Sequence, residues 1–214
     1  MLLERERSEI VSFGKKLLEK GLITGTGGNL SIRSGGLVAV SPGAVEYGGM
    51  QPEDVVVTDM EGAVIEGHLI PSSETPLHLS VYRARPDILS VVHTHSPYAC
   101  VMACLGWEIP VFHYLVAIAG RKVPVAPYAL FGTEELASGA VRAMGGGKAV
   151  LLANHGLVAA GGTLTEAFRV AETVEFVSMV YSHVRSLGEP GILSDNEVDD
   201  VSEAFGKYDS VNRT

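Results

Sequence analysis

Apolar residues along this chain recur at two spacings, and the alternation between them predicts an α/β fold. Ile10, Phe13, Leu17 and Leu18 return at helical intervals, so residues 4–20 form an amphipathic helix that Gly21 ends. Gly25-Thr26-Gly27-Gly28-Asn29-Leu30-Ser31 holds too much glycine for a regular element and reads as a loop entering a strand at 30–33. Leu37-Val38-Ala39-Val40 is a second strand, broken by Ser41-Pro42-Gly43. Val55-Val56-Val57 and Ala63-Val64-Ile65 flank the turn 59–62 as a hairpin. Ser72 or Ser73 then caps a helix over about 74–84, with Leu77 and Val81 inward. A strand over 88–95 and a mostly apolar helix near 96–105 follow.

In the second half the run 111–119 fits strand or helix equally, because its periodicity does not decide. Residues 123–126 read as a strand, and Thr133 caps a helix to about 144. The strand 149–153 turns at 154–156 and returns antiparallel over 157–160. Thr163 or Thr165 caps a long helix to about 186, with Ala167, Val170, Val174, Val177 and Tyr181 on one face. Ser194 and Glu197 form a capping box for a last helix whose Val198, Val201 and Phe205 face inward. No repeat, low-complexity tract or interior linker divides the chain. Residues 1–214 are therefore expected to form one α/β domain, and the hairpins favour a mixed, mostly antiparallel sheet flanked by helices over a doubly wound one.

Composition narrows the function classes. Of 214 residues, 46% are hydrophobic and 19% charged, as in an ordinary globular enzyme. A formal charge of −9 argues against nucleic acid as a partner, since that surface needs a basic face. No apolar stretch approaches the roughly 18 residues of a membrane span, and the charged start Met1-Leu2-Leu3-Glu4-Arg5 argues against a secretory signal. Cys100 and Cys104, four apart, share a face if helical and read as small buried hydrophobes of a reduced, cytoplasmic protein.

Chemistry concentrates in the histidines. His93 and His95 end an apolar run, and in extended backbone positions two apart share a face, so both imidazoles can reach one ion while Thr94 points away. His155 ends a second such run and can supply a third nitrogen. Three nitrogens with an open position are how a catalytic zinc site is built, whereas structural sites close with four ligands. Histidines at strand ends also simply bond to backbone, but the matching context of His155 and a glutamate upstream favour the metal. That glutamate, Glu74, lies at a predicted helix start, where a carboxylate is stabilised by the helix dipole in any case. The strand after its helix delivers His93 and His95, which brings the carboxylate near the same ion, where it can take a proton from the carbon beside a bound carbonyl.

The glycine loop lacks the Lys-Ser/Thr of a P-loop, and Leu30 stands where a dinucleotide fingerprint needs glycine. Its free N–H groups, with Thr26, Asn29 and Ser31, can still cradle a phosphate dianion, and Ser72 and Ser73 add two hydroxyls. A Schiff-base lysine is disfavoured. Lys15, Lys16 and Lys20 lie on a polar helix face, Lys207 is near the terminus, and Lys122 and Lys148 only flank strands.

Taken in order, Gly25–Ser31, Pro71-Ser72-Ser73-Glu74, Val92-His93-Thr94-His95 and Asn154-His155-Gly156-Leu157 resemble the class II aldolase/adducin family, and within it the fuculose-phosphate aldolase branch. The likeness runs from about residue 4 to Tyr208 and includes Ile109-Pro110-Val111-Phe112-His113-Tyr114, Ala126-Pro127-Tyr128, Phe131-Gly132-Thr133 and Leu193-Ser194-Asp195. The resemblance implies a three-layer fold and a Zn2+ (or another divalent cation such as Mn2+) held by His93, His95 and His155. It implies Glu74 as fourth ligand at rest and as proton-transfer group once substrate displaces it, with Gly28, Asn29, Ser72 and Ser73 on the phosphate.

The family also uses a hydroxyl residue followed by glycine after a Thr-Pro or Ser-Pro pair. Here Ser41-Pro42 is followed by Gly43 and Ala44, which removes that hydroxyl and adds a Cβ. Tyr114 resembles a tyrosine that reaches a neighbouring subunit's site, and Tyr208 a mobile C-terminal one; such proteins are typically four-fold homotetramers. The pentulose-5-phosphate 4-epimerase branch carries Asp where this chain has Glu74. The methylthioribulose-phosphate dehydratases share the glutamate, but the stretch from Tyr128 to His155 looks like the aldolases. Adducin-type members, which are non-enzymatic interaction domains, have lost the ligands kept here. The expectation is cleavage of a ketose 1-phosphate, such as L-fuculose 1-phosphate, to dihydroxyacetone phosphate and a small aldehyde such as lactaldehyde.

Overall fold

Strand alternation sorts the side chains of one sheet into two cores. The structure, a computed structural model, describes residues 1–211. After helix α1 (Glu4–Glu19) come strands β1 (Asn29–Ser34), β2 (Leu37–Val40), β3 (Val56–Asp59) and β4 (Val64–Glu66). Helix α2 (Thr75–Ala84), strand β5 (Ser90–Thr94), helix α3 (Pro97–Leu105) and the short strands β6 (Ile109–Pro110), β7 (Lys122–Val123) and β8 (Val125–Ala126) follow. Helix α4 (Glu134–Met144), strands β9 (Ala149–Leu152) and β10 (Gly156–Gly161), and helices α5 (Leu164–Leu187) and α6 (Asp195–Val211) complete the order.

Eight strands form one sheet in the order β4-β3-β2-β1-β5-β10-β9-β8, antiparallel throughout except for the β8–β9 pair. Leu30, Ile32, Val92, Leu157 and Ala159 face one side and pack with Ile10 and Leu17 of α1, Met102 of α3 and Val170, Val174 and Val177 of α5. Val38, Val91, Val150, Val158 and Ala160 face the other, under Leu77, Val81 and Tyr82 of α2 and Leu136 and Ala140 of α4. The result is the expected mixed, mostly antiparallel sheet between two helical layers. Each fully buried large aliphatic side chain contributes about 1.5–3 kcal/mol to it.

Several local expectations change. Neither Ser72 nor Ser73 caps α2; Glu74 does, at φ −96 and ψ 8, with no capping bond from its side chain. The Ser72 hydroxyl instead accepts the Glu74 N–H at 3.3 Å, and the Thr75 hydroxyl donates to the Ser72 carbonyl at 2.7 Å. Thr75 and Pro76 then open the helix, proline costing little in a first turn whose N–H groups have no helical partner.

The undecided run 111–119 contains a 3-10 turn, Tyr114–Ile118, started by His113 Nδ1, which accepts the Leu115 N–H at 3.2 Å. The strand expected over 123–126 divides at Pro124 between two sheets, because proline cannot donate to a ladder. Thr163, not Thr165, caps α5 by accepting the Glu166 N–H at 3.1 Å. In α6 Val198 is buried, while Val201 and Phe205 are only partly covered. Both cysteines are free, but neither is core: Cys100 is half-buried and Cys104 exposed. Among the described residues no helix is long and apolar enough to cross a membrane.

Candidate metal centre and substrate cavity

Antiparallel register gathers the site at one end of the sheet. Asn29 of β1 pairs with His93 of β5, and His93 pairs on its other side with Val158 of β10. The end of β5 therefore lies beside the beginnings of β1 and β10, and His95 and His155, one residue beyond their strands, meet across that edge. Gly156 makes the approach possible. A Cβ there would stand 2.4 Å from the Thr94 carbonyl oxygen and 2.9 Å from His95 Cδ2. Asn154 turns the chain into this position at φ 56, a left-handed conformation that Asn tolerates better than most residues.

Glu74 enters at the start of α2, on the face of the sheet that His93 shares with Val91 and Val158. Its Oε2 lies 3.1 Å from His93 Nε2 and accepts the Asn29 side-chain N–H at 2.9 Å. Its Oε1 lies 3.3 Å from His155 Nε2, out of hydrogen-bond alignment, and is buried with no hydrogen-bond partner. His93 Nε2 and His95 Nε2 are 2.9 Å apart. His93 Nδ1 is 2.9 Å from the Leu157 carbonyl oxygen, which can only accept; Nδ1 therefore carries a hydrogen, and Nε2 is the ring nitrogen turned to the cluster.

One donor atom from each of Glu74, His93, His95 and His155 falls within 4.8 Å of all the others. This convergence and the orphaned carboxylate oxygen, with three nitrogens and one oxygen as donors, fit a divalent cation such as zinc. Burial alone would raise the Glu74 carboxyl, but His93, the Asn29 amide and His155 hold it well below the usual carboxylate range. Burial, reinforced by His93 and then His155, pushes His95 down to about 4. Burial and then His93 also lower His155.

Beside this quartet lies a cavity of about 380 Å³ lined by Thr26, Gly27, Gly28, Asn29, Pro42, Gly43, Ala44, Ser72, Ser73, Glu74, His95, Phe131 and His155. Thr26, Gly28, Asn29, Gly43, Ala44, Ser72 and Ser73 therefore share one wall system with Glu74 and two of the histidines, but Ser31, also expected on the phosphate, is buried away from it with its hydroxyl 2.6 Å from His78 Nδ1 and from the Tyr82 hydroxyl. Gly28 is at φ +75, and a Cβ on it would meet the His93 carbonyl oxygen and Ile23 Cγ2, each at 2.7 Å. Gly43 has room for a Cβ, its nearest neighbours being 3.7 Å away, whereas Ala44 holds φ 56.

Tyr114 and Tyr208 do not line this cavity. Tyr114 is 50% exposed and stacked with its ring centroid 4.9 Å from that of His113 and 6.0 Å from that of Phe205; Tyr208 is 68% exposed. The structural reason for Gly156, the cavity position of Phe131 and the buried His78 escape a reading by motif. His78, four residues after Glu74 on the inward side of α2, has Nδ1 2.6 Å from the Ser31 hydroxyl, and burial followed by His93 pushes it down to about 3. A polar residue on an otherwise apolar helix face was the one available signal for it.

The model of the Class II Aldolase and Adducin N-terminal domain matches residues 8–182. The chain belongs to the class II aldolase and adducin family. A 5-deoxy-D-ribulose 1-phosphate aldolase of Bacillus thuringiensis serovar kurstaki is 50% identical over 210 residues, covering 97% of this chain and 99% of that one. An L-fuculose phosphate aldolase of Escherichia coli strain K12 is 36% identical over 202 residues, 94% of each chain. A solved L-fuculose 1-phosphate aldolase superposes with a TM-score of 0.92 at 43% identity, covering 94% of this chain and 96% of that one. Family membership supports lyase activity on small phosphorylated sugars.

Two outcomes are expected from this arrangement. The first concerns pH. His95 and His78 have folded-state values of about 4 and about 3 against an ordinary 6.5, so the metal-free fold prefers both neutral. Below 6.5 the unfolded chain binds more protons than the folded one, so their share of stability is complete above 6.5 and is lost as pH falls toward 4. Thermal melts of chelator-treated protein at a series of pH values should show Tm falling through that window; a flat Tm would contradict it. The second concerns Ala44. A left-handed conformation costs an alanine about 1–2 kcal/mol, partly offset in a glycine by chain entropy. Ala44→Gly should be neutral or stabilising by up to about 1 kcal/mol in denaturant titration, and a clear loss would mean that the Ala44 methyl packs.

Proposed function

We propose that this protein is a divalent-metal-dependent aldolase that reversibly cleaves a ketose 1-phosphate into dihydroxyacetone phosphate and a short aldehyde. The observation that carries the reading is that Glu74 belongs at once to the four-donor cluster and to the wall of the adjoining cavity. A divalent cation, zinc or another such as Mn2+, held by His93, His95, His155 and Glu74 would supply Lewis-acid polarisation of the substrate ketone.

The protein's own groups account for the rest. Thr26, Gly28, Asn29, Gly43, Ala44, Ser72 and Ser73 would bind the phosphate through hydroxyls, an amide and backbone N–H groups, which suits an anion in a protein of net charge −9. In the condensation direction Glu74 removes a proton from the carbon beside the ketone of dihydroxyacetone phosphate. That carbon attacks the aldehyde, and the aldehyde oxygen receives a proton from Tyr114 of a neighbouring copy. In cleavage the same protons travel in reverse. Tyr208, near the end of α6, would close over the site.

This assignment of Tyr114 presumes a homotetramer with active sites at subunit interfaces, in the cytoplasm, without nucleic acid or membrane as a partner. The 50% relative favours a 5-deoxypentulose 1-phosphate as substrate, giving acetaldehyde. The solved fuculose-phosphate enzyme favours the six-carbon L-fuculose 1-phosphate, giving L-lactaldehyde. The two differ by one CHOH unit. Epimerase, dehydratase and adducin-like readings lack a comparable observation.

The test is release of dihydroxyacetone phosphate from a panel containing 5-deoxy-D-ribulose 1-phosphate, L-fuculose 1-phosphate and, as an epimerase control, L-ribulose 5-phosphate. One ketose 1-phosphate should dominate, and inactivity on all of them would refute the proposal. On the active substrate, Glu74→Gln should lose about 10²–10⁴-fold in kcat, the usual contribution of a positioned general base. His95→Ala should lose bound metal as read by elemental analysis, and unchanged metal content would remove His95 as a ligand. The Tyr114 role predicts complementation. Inactive Glu74→Gln and impaired Tyr114→Phe subunits, dissociated and reassembled together, should recover part of the wild-type rate, whereas mixed assemblies verified by mass and still inactive would exclude a shared site.

A further inference from the structure

Tyr47 takes no part in the reaction just described and does not line the cavity, yet its hydroxyl joins the segments that do. The side chain is buried, 1% exposed, in the turn after β2. Its hydroxyl donates to the Gly28 carbonyl oxygen at 3.0 Å and lies 3.2 Å from Ser41 Oγ. Burial raises this phenol to about 12, with Ser41 opposing, so it remains a neutral donor at any physiological pH.

Ser41 extends the connection. Its hydroxyl accepts the Leu30 N–H at 3.1 Å, and its carbonyl accepts the Ser72 N–H at 3.2 Å. Three stretches of cavity wall, Gly28-Asn29, Pro42-Gly43-Ala44 and Ser72-Ser73, are thus spaced through one phenol and one serine beside them. The ring itself is fixed from behind. Gly14 of α1 faces it so closely that a Cβ there would lie 2.2 Å from Tyr47 Cδ1. A glycine inside a helix destabilises it by roughly 0.5–1 kcal/mol relative to alanine, and here it leaves the notch that the ring fills.

We propose that Tyr47 is a positioning residue for the oxyanion end of the cavity, setting the distance between the Gly28-Asn29 wall and the Gly43-Ala44 and Ser72-Ser73 walls. The inference rests on the reading of this cavity as the phosphate cradle. A phosphate dianion held mainly by backbone N–H groups and short hydroxyls depends on wall spacing to a few tenths of an ångström, because no long, adjustable Lys or Arg side chain lines the cavity to compensate. Loss of the Tyr47 hydroxyl should therefore weaken phosphate binding while leaving the Glu74–histidine cluster intact.

The experiment compares wild type, Tyr47→Phe and Ser41→Ala as metal-loaded, full-length proteins. Inorganic phosphate is the probe, followed by calorimetric titration and as an inhibitor competitive with the substrate found in the panel; KM, kcat, metal content and Tm are measured alongside. Tyr47→Phe should raise the phosphate Kd and the KM together by about 10-fold, with kcat within about 3-fold and metal content unchanged, and Ser41→Ala should shift the same quantities in the same direction. A lowered Tm with phosphate Kd and KM unchanged in both variants would make Tyr47 an ordinary core residue and overturn the inference. If phosphate fails to bind or inhibit the wild type while aldol cleavage proceeds, the cradle reading itself is wrong and the inference falls with it. If the wild type cleaves nothing in the panel but binds phosphate, and Tyr47→Phe loses that binding, the positioning role stands and only the reaction assigned above fails.

Discussion

Everything in this site depends on one buried carboxylate being held against three imidazoles. Such a cluster is costly to assemble, because each polar atom taken from water must find a partner inside. Glu74 finds His93, His155 and the Asn29 amide, and still has one buried oxygen without a hydrogen bond. The cluster sets that oxygen among three imidazole nitrogens, with one donor atom from each side chain within 4.8 Å of the others. A cation would take one donor atom from each of the four side chains and satisfy the orphaned oxygen, and this is why the donor set reads as a metal centre.

Two independent pieces of backbone hold the cluster together. The β1–β5–β10 register places Asn29, His93 and Val158 in line across the sheet, so a slip of one residue would turn His93 into the opposite core. Glu74 arrives on the helix side, as the cap of α2, with Leu77, Val81 and Tyr82 packed beneath it. Its side chain makes no capping bond because it is engaged elsewhere. A position that ordinarily stabilises its own helix is here committed to the site, and the turn is stabilised instead by the Ser72 and Thr75 hydrogen bonds.

The cavity carries its specificity in the same economy of parts. Its walls offer hydroxyls, an amide and backbone, with no lysine or arginine, so an anion bound there would depend on shape and spacing for what charge does elsewhere. Gly43 has room for a side chain it lacks, and Ala44 holds a conformation that favours glycine.

Hydrophobic periodicity by itself determined the helices, most of the strands and the mixed character of the sheet, because burial of one face forces the 3.6- and 2-residue repeats. The spacing of His93 and His95, and the strand-end context of His155, likewise made a shared ion legible from local backbone geometry. Only the tertiary structure decided what depends on distant segments meeting. It assigned Pro124 to a break between two sheets, took the cap of α2 from the serines and put it on Glu74, and gave Gly156 a reason in the Thr94 carbonyl 2.4 Å from its missing Cβ. It also joined Tyr47 to Gly28 and Ser41. Local pattern records which face a residue turns toward the core; it holds no record of which residue from another segment will be waiting there, because that is set by sheet order and register.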